Sequence, residues 1–452
     1  MVLGSPSAGP QTTRSGTGKR ASIRRRLAWG ITLALGGLAV AGVIVVAQAN
    51  SDPGWHGTRP ISISGILPDL GSQPVIAAAP SGHMVVAWSN PPSEGAWRNI
   101  YTVHSTGSGW SDPAVISATV DHSFKPDAII VEDRIFVTWA EGDPPTAIYE
   151  AERLSGGSWE MHDVPLGSYS PGGFTWPRLA ASADRLHMVF SDDSDILYTT
   201  RPLMTDTWLT ATAVYTHAVV GDQLKFPVMD TSPDGQTLHL VWQEDIFSPD
   251  EDVIMYMRGQ VNGDSVAWDP AYNLSSRGQE MIGPDVAVDS NGGVHVAWGE
   301  VVGGSEEQYI RYTRYTDGSW MTPTVRVDSN HVEVHKQSPY FVAPEIDLWE
   351  GNDQVTLCVA WHGFREGDFA EEILLSCCQN GGDSWSSPWN VSRSSDDDWT
   401  LSVNPSIAFD VSGRLQVVWQ ERAGDDLGRD YAIYYAYSLD NQIFLPLVLR
   451  NG

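Results

Sequence analysis

Along most of this chain apolar and polar residues alternate in short runs, the period of a half-buried strand and not of a helix. The clearest run is Pro284–Trp298. There an apolar strand leads into a tight turn at Asn291-Gly292-Gly293, and a second strand ends on a tryptophan. The same pattern occurs seven times, beginning at Pro74, Pro126, Pro177, Pro227, Pro284, Pro344 and Pro405. It closes on Trp88, Trp139, Phe190, Trp242, Trp298, Trp361 and Trp419, each 13 to 17 residues after its proline. Successive aromatics lie 51 to 63 residues apart. A strand-only repeat of roughly 50 residues is the signature of a β-propeller.

Each copy continues alike. A polar loop precedes a third strand, such as Asn99-Ile100-Tyr101 or Ala432-Ile433-Tyr434, and in most copies a Gly-x-Trp turn then opens a fourth. Six tryptophans close second strands, and seven open fourth strands (Trp55, Trp110, Trp159, Trp208, Trp268, Trp320, Trp385). We read these thirteen as wedges between blades, because a buried indole covers a large apolar area. Trp55 stands before any complete copy, whereas the seventh copy lacks a Gly-x-Trp strand after Tyr435. The segment 55–64 is therefore expected to complete the last blade and close the ring, which removes the free sheet edges. The rival for that place is the apolar tail 439–452. The predicted fold is all-β, a seven-bladed β-propeller of four-stranded antiparallel blades over residues 50–438.

Ahead of the repeats, residues 1–26 are rich in Ser, Gly and Thr and end in Lys19-Arg20 and Arg24-Arg25-Arg26, which predicts a disordered basic cytoplasmic segment. Residues 27–49 are uncharged and largely apolar. As a helix they would span roughly 34 Å, enough for a bilayer core of about 30 Å. The basic block keeps the N-terminus inside and sends the repeats outside. The segment reads as a signal-anchor; the alternative is a signal peptide cleaved at Ala47-Gln48-Ala49 and secretion. Net charge is -29, and beyond residue 50 there are 21 basic against 56 acidic residues. That surface excludes nucleic acid and anionic lipid as partners, so the membrane is met through the N-terminal helix only. We expect a monomer.

Cys358, Cys377 and Cys378 fall in the sixth copy, on strands expected to pair. Their spacing suits neither a disulfide scaffold nor zinc, and a bridge from Cys358 to either partner is open, depending on register. His187, His239 and His295 recur three residues before the closing aromatic. One per blade is too few for a metal, and a repeated hydrogen bond to the adjacent blade is expected instead. The Asp289–Gly292 turn lacks the later bidentate Glu of a calcium loop, so no metal and no cofactor are expected.

At the Gly-x-Trp turns the repeat resembles the Asp-box, or bacterial neuraminidase repeat, of sialidase-like propellers. The nearest match to Ser-x-Asp-x-Gly-x-Thr-Trp is Cys378-Gln379-Asn380-Gly381-Gly382-Asp383-Ser384-Trp385. Elsewhere only Gly and Trp survive. The resemblance implies a propeller acting on or binding glycans. Sialidases of that family are six-bladed and use three arginines, an aspartate and a Tyr–Glu pair, with Arg-Ile-Pro near the start. Here Arg59-Pro60-Ile61 has another order and falls in the expected outer strand.

In a four-stranded blade the loops joining second to third strands share a face with the starts of the first strands. The residue two past each closing aromatic is Asn90, Glu141, Asp192, Glu244, Glu300, Gly363 or Glu421. Projected round a ring, the acids form a carboxylate collar at the channel mouth, suited to a cation or amine, or to glycosidic acid–base chemistry. Trp97, Trp176, Phe364 and Trp399, with Arg365, are expected on that face, where aromatic planes beside carboxylates suit sugar rings. The expected ligand residues are thus Trp97, Glu141, Asp192, Glu244, Glu300, Arg365, Trp399 and Glu421. The expected function is an extracytoplasmic module that binds a glycan or protein surface. Its alternatives are an exo-glycosidase of sialidase type and a non-catalytic surface scaffold.

Overall fold

The computed structural model describes residues 55–438, leaving out 63–71, 94, 107–108, 118–119, 155–156, 174, 218, 220–221, 248–249, 276–279, 302–306, 323, 329–331, 334–342, 352–353, 364–370, 394–400 and 423–430. The segment 27–49, Phe364, Arg365, Trp399 and the C-terminal tail lie outside the described residues. Among the described residues no helix is long and apolar enough to cross a membrane.

Seven antiparallel sheets follow one another along the chain, each ordered inner, second, third and outer strand. In blade 5, for example, Glu280–Val288, Val294–Val301, Glu307–Thr316 and Ser319–Trp320 run from centre to rim. In blade 7 the inner three strands are Leu401–Phe409, Leu415–Arg422 and Tyr431–Ser438, and the outer one is Trp55–Pro60. Trp55 lies opposite Ser438 and Pro60 opposite Tyr434, and Ile61 N–H donates to the Ile433 carbonyl at 2.8 Å.

The first hairpin of a blade turns on side-chain chemistry. In blade 5 Asp289 accepts the amides of Asn291 and Gly293 through Oδ1, at 2.9 and 2.7 Å, while Gly292 sits at φ +81°. Asp410 does the same for Ser412 and Arg414 in blade 7. Such Asx turns give the backbone a short local bond that helix or ladder would otherwise supply.

The six closing tryptophans and Phe190 are all fully buried, each within a cluster of aliphatic side chains. The histidines bond differently from expectation. His187, His239 and His295 meet the hydroxyls of Tyr198, Tyr256 and Tyr312 at 2.7, 2.9 and 2.7 Å, within their own blades. Each of those tyrosines then packs edge-on against a tryptophan of the following blade, Trp268 or Trp320 in its outer strand or Trp385 just ahead of it, at 4.8 to 5.6 Å. Each tyrosine is the diagonal neighbour on the third strand, two residues from the one directly opposite the histidine, so the bond stays inside the sheet and the ring contact crosses the seam. Tyr435 repeats the device with Gln416 and Trp110, which joins blade 7 to blade 1. The register places Cys358 opposite Cys377, and the two form a disulfide; Cys378 is free and buried.

Candidate ligand site at the channel mouth

The inner strands surround a central channel, and the proline of each repeat stands at the start of its inner strand or within its first five residues. The residues just before those prolines are Gln73, Lys125, Trp176, Phe226, Gly283, Ala343 and Asn404. Together they form the rim of a cavity of about 330 Å³ at the channel mouth. Five of these seven lie in the left-handed region, with φ between 37° and 54° (Gln73, Lys125, Phe226, Gly283, Asn404). A residue before proline ordinarily prefers the extended region, so each position is strained. The ladder is also bulged there in blades 2, 4, 5 and 7. A bulge re-aims the side chain at the end of a strand, and here it delivers the rim residues to the mouth.

The rim is lopsided. On blades 2 to 4 it is bulky. The Lys125 ammonium lies 5.3 Å from the Trp176 ring centre and donates to the Gly173 carbonyl at 2.7 Å, and Phe226 meets Trp176 edge-on at 5.1 Å. Burial lowers the Lys125 ammonium to about 8, against the pull of Asp193 and Asp143. On blades 5 and 6 the rim is only Gly283 and Ala343. A Cβ on Gly283 would stand 2.7 Å from that of Ala343.

The residues just after the prolines line the throat below. Arg178 reaches from blade 3 to the Asp127 carboxylate of blade 2 at 3.2 Å, and toward Glu345 of blade 6 at 3.9 Å. Asp285 and Glu345 sit beneath the small side of the rim. Burial pushes both carboxyls well above the usual range, with Arg178 opposing. Deeper in the channel, burial raises Asp230 to about 6 and Asp347 to about 7.

These acids also have a structural task. Inner strands of adjacent blades do not pair, so their edge amides need other acceptors. Asp127 accepts Leu179 N–H at 2.7 Å, Asp230 accepts Val288 at 2.8 Å, Asp285 accepts Ile346 at 2.8 Å and Asp347 accepts Phe409 at 2.7 Å. Ser406 Oγ accepts Ile76 N–H at 3.1 Å across the closing seam. Each acceptor belongs to one blade and each donor to the next, so the channel acids staple the ring.

The expected collar takes another place. None of Glu141, Asp192, Glu244, Glu300 and Glu421 lines the mouth cavity. A residue two past the closing aromatic shares its strand face, so it follows the indole into the seam between blades. Glu141 accepts Trp139 Nε1–H at 3.1 Å and Ser123 Oγ–H at 2.8 Å, and Glu421 accepts Trp419 Nε1–H at 2.8 Å. Glu244 accepts the Tyr215 hydroxyl at 3.1 Å and lies 2.6 Å from His217 Nε2. Glu300 pairs with Arg311 on its own blade. Asp192 caps the amides of Ser194 and Asp195. Trp97 is on the surface, 53% exposed.

The signal for the mouth was present in the chain. Residues flanking the repeat prolines differ in chemistry from copy to copy, running Gln, Lys, Trp, Phe, Gly, Ala, Asn before and Val, Asp, Arg, Val, Asp, Glu, Ser after. A position that varies inside a regular repeat is not held by the repeat's packing. Among the described residues one group has metal-ligand spacing, Glu152, His162 and Asp206, with ligand atoms within 4.8 Å. Both carboxylate oxygens of Glu152 already hold guanidinium groups, from Arg134 and Arg201, which oppose a cation there.

No protein-family model matches the sequence. No curated protein matches it. Among solved structures, the chain is similar to the Trypanosoma rangeli sialidase in complex with sialic acid, with 10% identity and a TM-score of 0.45. That match covers 85% of this chain and 57% of the sialidase. A mutant of NanB sialidase from Streptococcus pneumoniae matches at 11% identity and a TM-score of 0.47, covering 84% of this chain and 70% of the enzyme. Penicillium chrysogenum alpha-L-arabinanase complexed with arabinobiose matches at 13% identity and a TM-score of 0.48, covering 85% and 98%. The chain thus spans little more than half the length of the trypanosomal enzyme. Likeness at these identities and scores carries no argument about chemistry.

Proposed function

We propose that this chain is a carbohydrate-binding propeller whose ligand seats in the mouth of the central channel. The observation that carries the reading is the lopsided rim. An aromatic wall of Trp176 and Phe226 faces an opening over Gly283 and Ala343, with Arg178, Asp285 and Glu345 at its floor. A sugar offers an apolar face to such a wall and hydroxyls to such a floor. The site works outside the cell, tethered by residues 27–49. The acidic composition and the Cys358–Cys377 bridge support that compartment, since disulfides persist where the surroundings are oxidising. The test is a glycan array probed with residues 51–452, followed by titration of any hit. Trp176→Ala and Arg178→Ala are expected to lose binding while keeping the fold. Hits that survive both substitutions would place the ligand elsewhere.

A second reading, hydrolysis of a glycosidic bond, is favoured by Glu345 alone. Burial keeps its carboxyl protonated toward neutral pH, the state a general acid needs, and it faces the same cavity. Turnover on a glycoside panel that disappears in Glu345→Gln would raise this reading above the first. Among the described residues the cavity lining holds a single arginine, Arg178.

A further inference from the structure

From Lys125 at the mouth, three rings continue along the seam between blades 1 and 2 to the surface. Lys125 lies over Trp176 at 5.3 Å and follows Phe124 in the chain. Phe124 stacks on His122 with centroids 5.4 Å apart, and His122 meets Trp97 edge to face at 4.8 Å. The Phe124–His122 and His122–Trp97 steps are within ring-stacking distance, and the step from Lys125 to Phe124 is one of chain neighbours. Trp97 is the only exposed tryptophan among the described residues.

Its loop is fixed in place. Asn90 at the end of the second strand pairs with Asn99 at the start of the third, so Trp97 stands at the same end of the blade as the rim. The neighbouring Arg98 is 6% exposed, and its guanidinium donates to Ser89 Oγ at 2.9 Å and to the Ser89 carbonyl at 3.1 Å. Arg98 N–H donates to His122 Nδ1 at 3.3 Å, and Ser123 N–H donates to the Arg98 carbonyl at 3.0 Å. The Arg98 guanidinium also lies 5.7 Å from the Phe124 ring centre. Here a buried side chain, one cross-blade backbone bond, one bond from the backbone to an imidazole and the edge of that same imidazole hold the loop that presents Trp97. Preorganised aromatic surface loses little side-chain entropy when a ligand covers it.

We propose that Trp97 is an outer subsite, and that the ligand is an oligosaccharide running from the channel mouth outward over Phe124 and His122 to Trp97. The inference rests on the sugar-binding reading of the mouth. It adds that a chain of sugars is bound, in contrast to a lone terminal unit. Trp97 would stack on a unit remote from the one on the throat floor.

Chain length is the readout. Gluco-, manno-, arabino- and galacturono-oligosaccharides of one to six units would be titrated by calorimetry against residues 51–452 and its Trp97→Ala and Trp97→Phe variants. The expected result is affinity that climbs with length for at least one series and then levels off. Trp97→Ala should remove the gain from the longer members, about five- to tenfold, with the shortest binders unchanged. Trp97→Phe should restore most of it. If affinity is flat with length, or if the gain survives Trp97→Ala, the subsite is overturned while the mouth reading stands. If no member of any series binds at any length, the mouth reading fails and the subsite with it. Unchanged unfolding midpoints in both variants would show that the loss is one of contact and not of fold.

Discussion

The seams between blades and the rim of the channel are built from the same repeat, on neighbouring strands of the same blades, yet they obey different rules. In the seams the residues are interchangeable from copy to copy: tryptophan or phenylalanine closes each second strand, and all seven are buried. At the rim no two neighbours match, five of seven backbones are strained, and polar and aromatic groups stand together around open space. A repeat that must close a ring needs uniform wedges, because each blade has to present the same angle to the next. The mouth is free of that demand, so chemistry gathers where the pattern is allowed to break.

The contrast can be broken most forcefully in a seam. Trp361→Ala removes a fully buried indole, which costs about 3–5 kcal/mol, and denaturant melts should record it with no selective effect on ligand. A mild loss would mean that the wedges are less equivalent than their burial indicates. Next comes the bridge of blade 6. Replacing Cys358 and Cys377 together by alanine should cost about 2–4 kcal/mol in the same melts, and leave the mouth unaltered. At the rim the balance reverses. Gly283→Leu places a side chain over Asp285 and against Ala343, so binding of any confirmed sugar should fall at least tenfold. Stability should drop by about 1–2 kcal/mol, the cost of a side chain at positive φ, plus whatever Ala343 needs to give way.

The smallest effect sharpens the account of the staples. Asp347 has a folded value near 7, above the ordinary aspartate value of 3.8. A raised carboxyl stabilises the fold fully below its unfolded value, and that contribution is lost as pH climbs through the folded one. Comparing melting temperatures of Asp347→Asn and its parent removes the opposing contribution of His187, His239 and His362, whose folded values are lowered to about 3, 4 and 4 by burial. The difference should move in favour of the variant from about pH 4 to about pH 7 and be level above it. A difference that does not vary with pH would mean that Asp347 is ionised throughout.

Blade number, strand order and the wedges were legible in the chain because alternation and tryptophan spacing report burial directly. The collar was misplaced because projection round a ring gives the height of Glu141 or Glu421 but not its facing. Facing follows the two-residue period of the strand, which turns both toward the indole two positions earlier. The histidines were assigned to the seam for a related reason. They reach it only through a tyrosine, and that intermediary is set by cross-strand register, which single residues do not announce. Lys125, Phe226 and Gly283 escaped notice because left-handed geometry before proline runs against the expectation for that position.

The clasp formed by Trp55–Pro60 has a consequence for biogenesis. Ser62 accepts the amide of Ile433, a partner 371 residues later, so the first strand to emerge is the last to be satisfied. Until blade 7 has been made, the blades before it wait beside a lone ribbon with no neighbour. A chaperone that shelters that ribbon is expected to raise yield, because so distant a pairing leaves a bare edge while the chain folds.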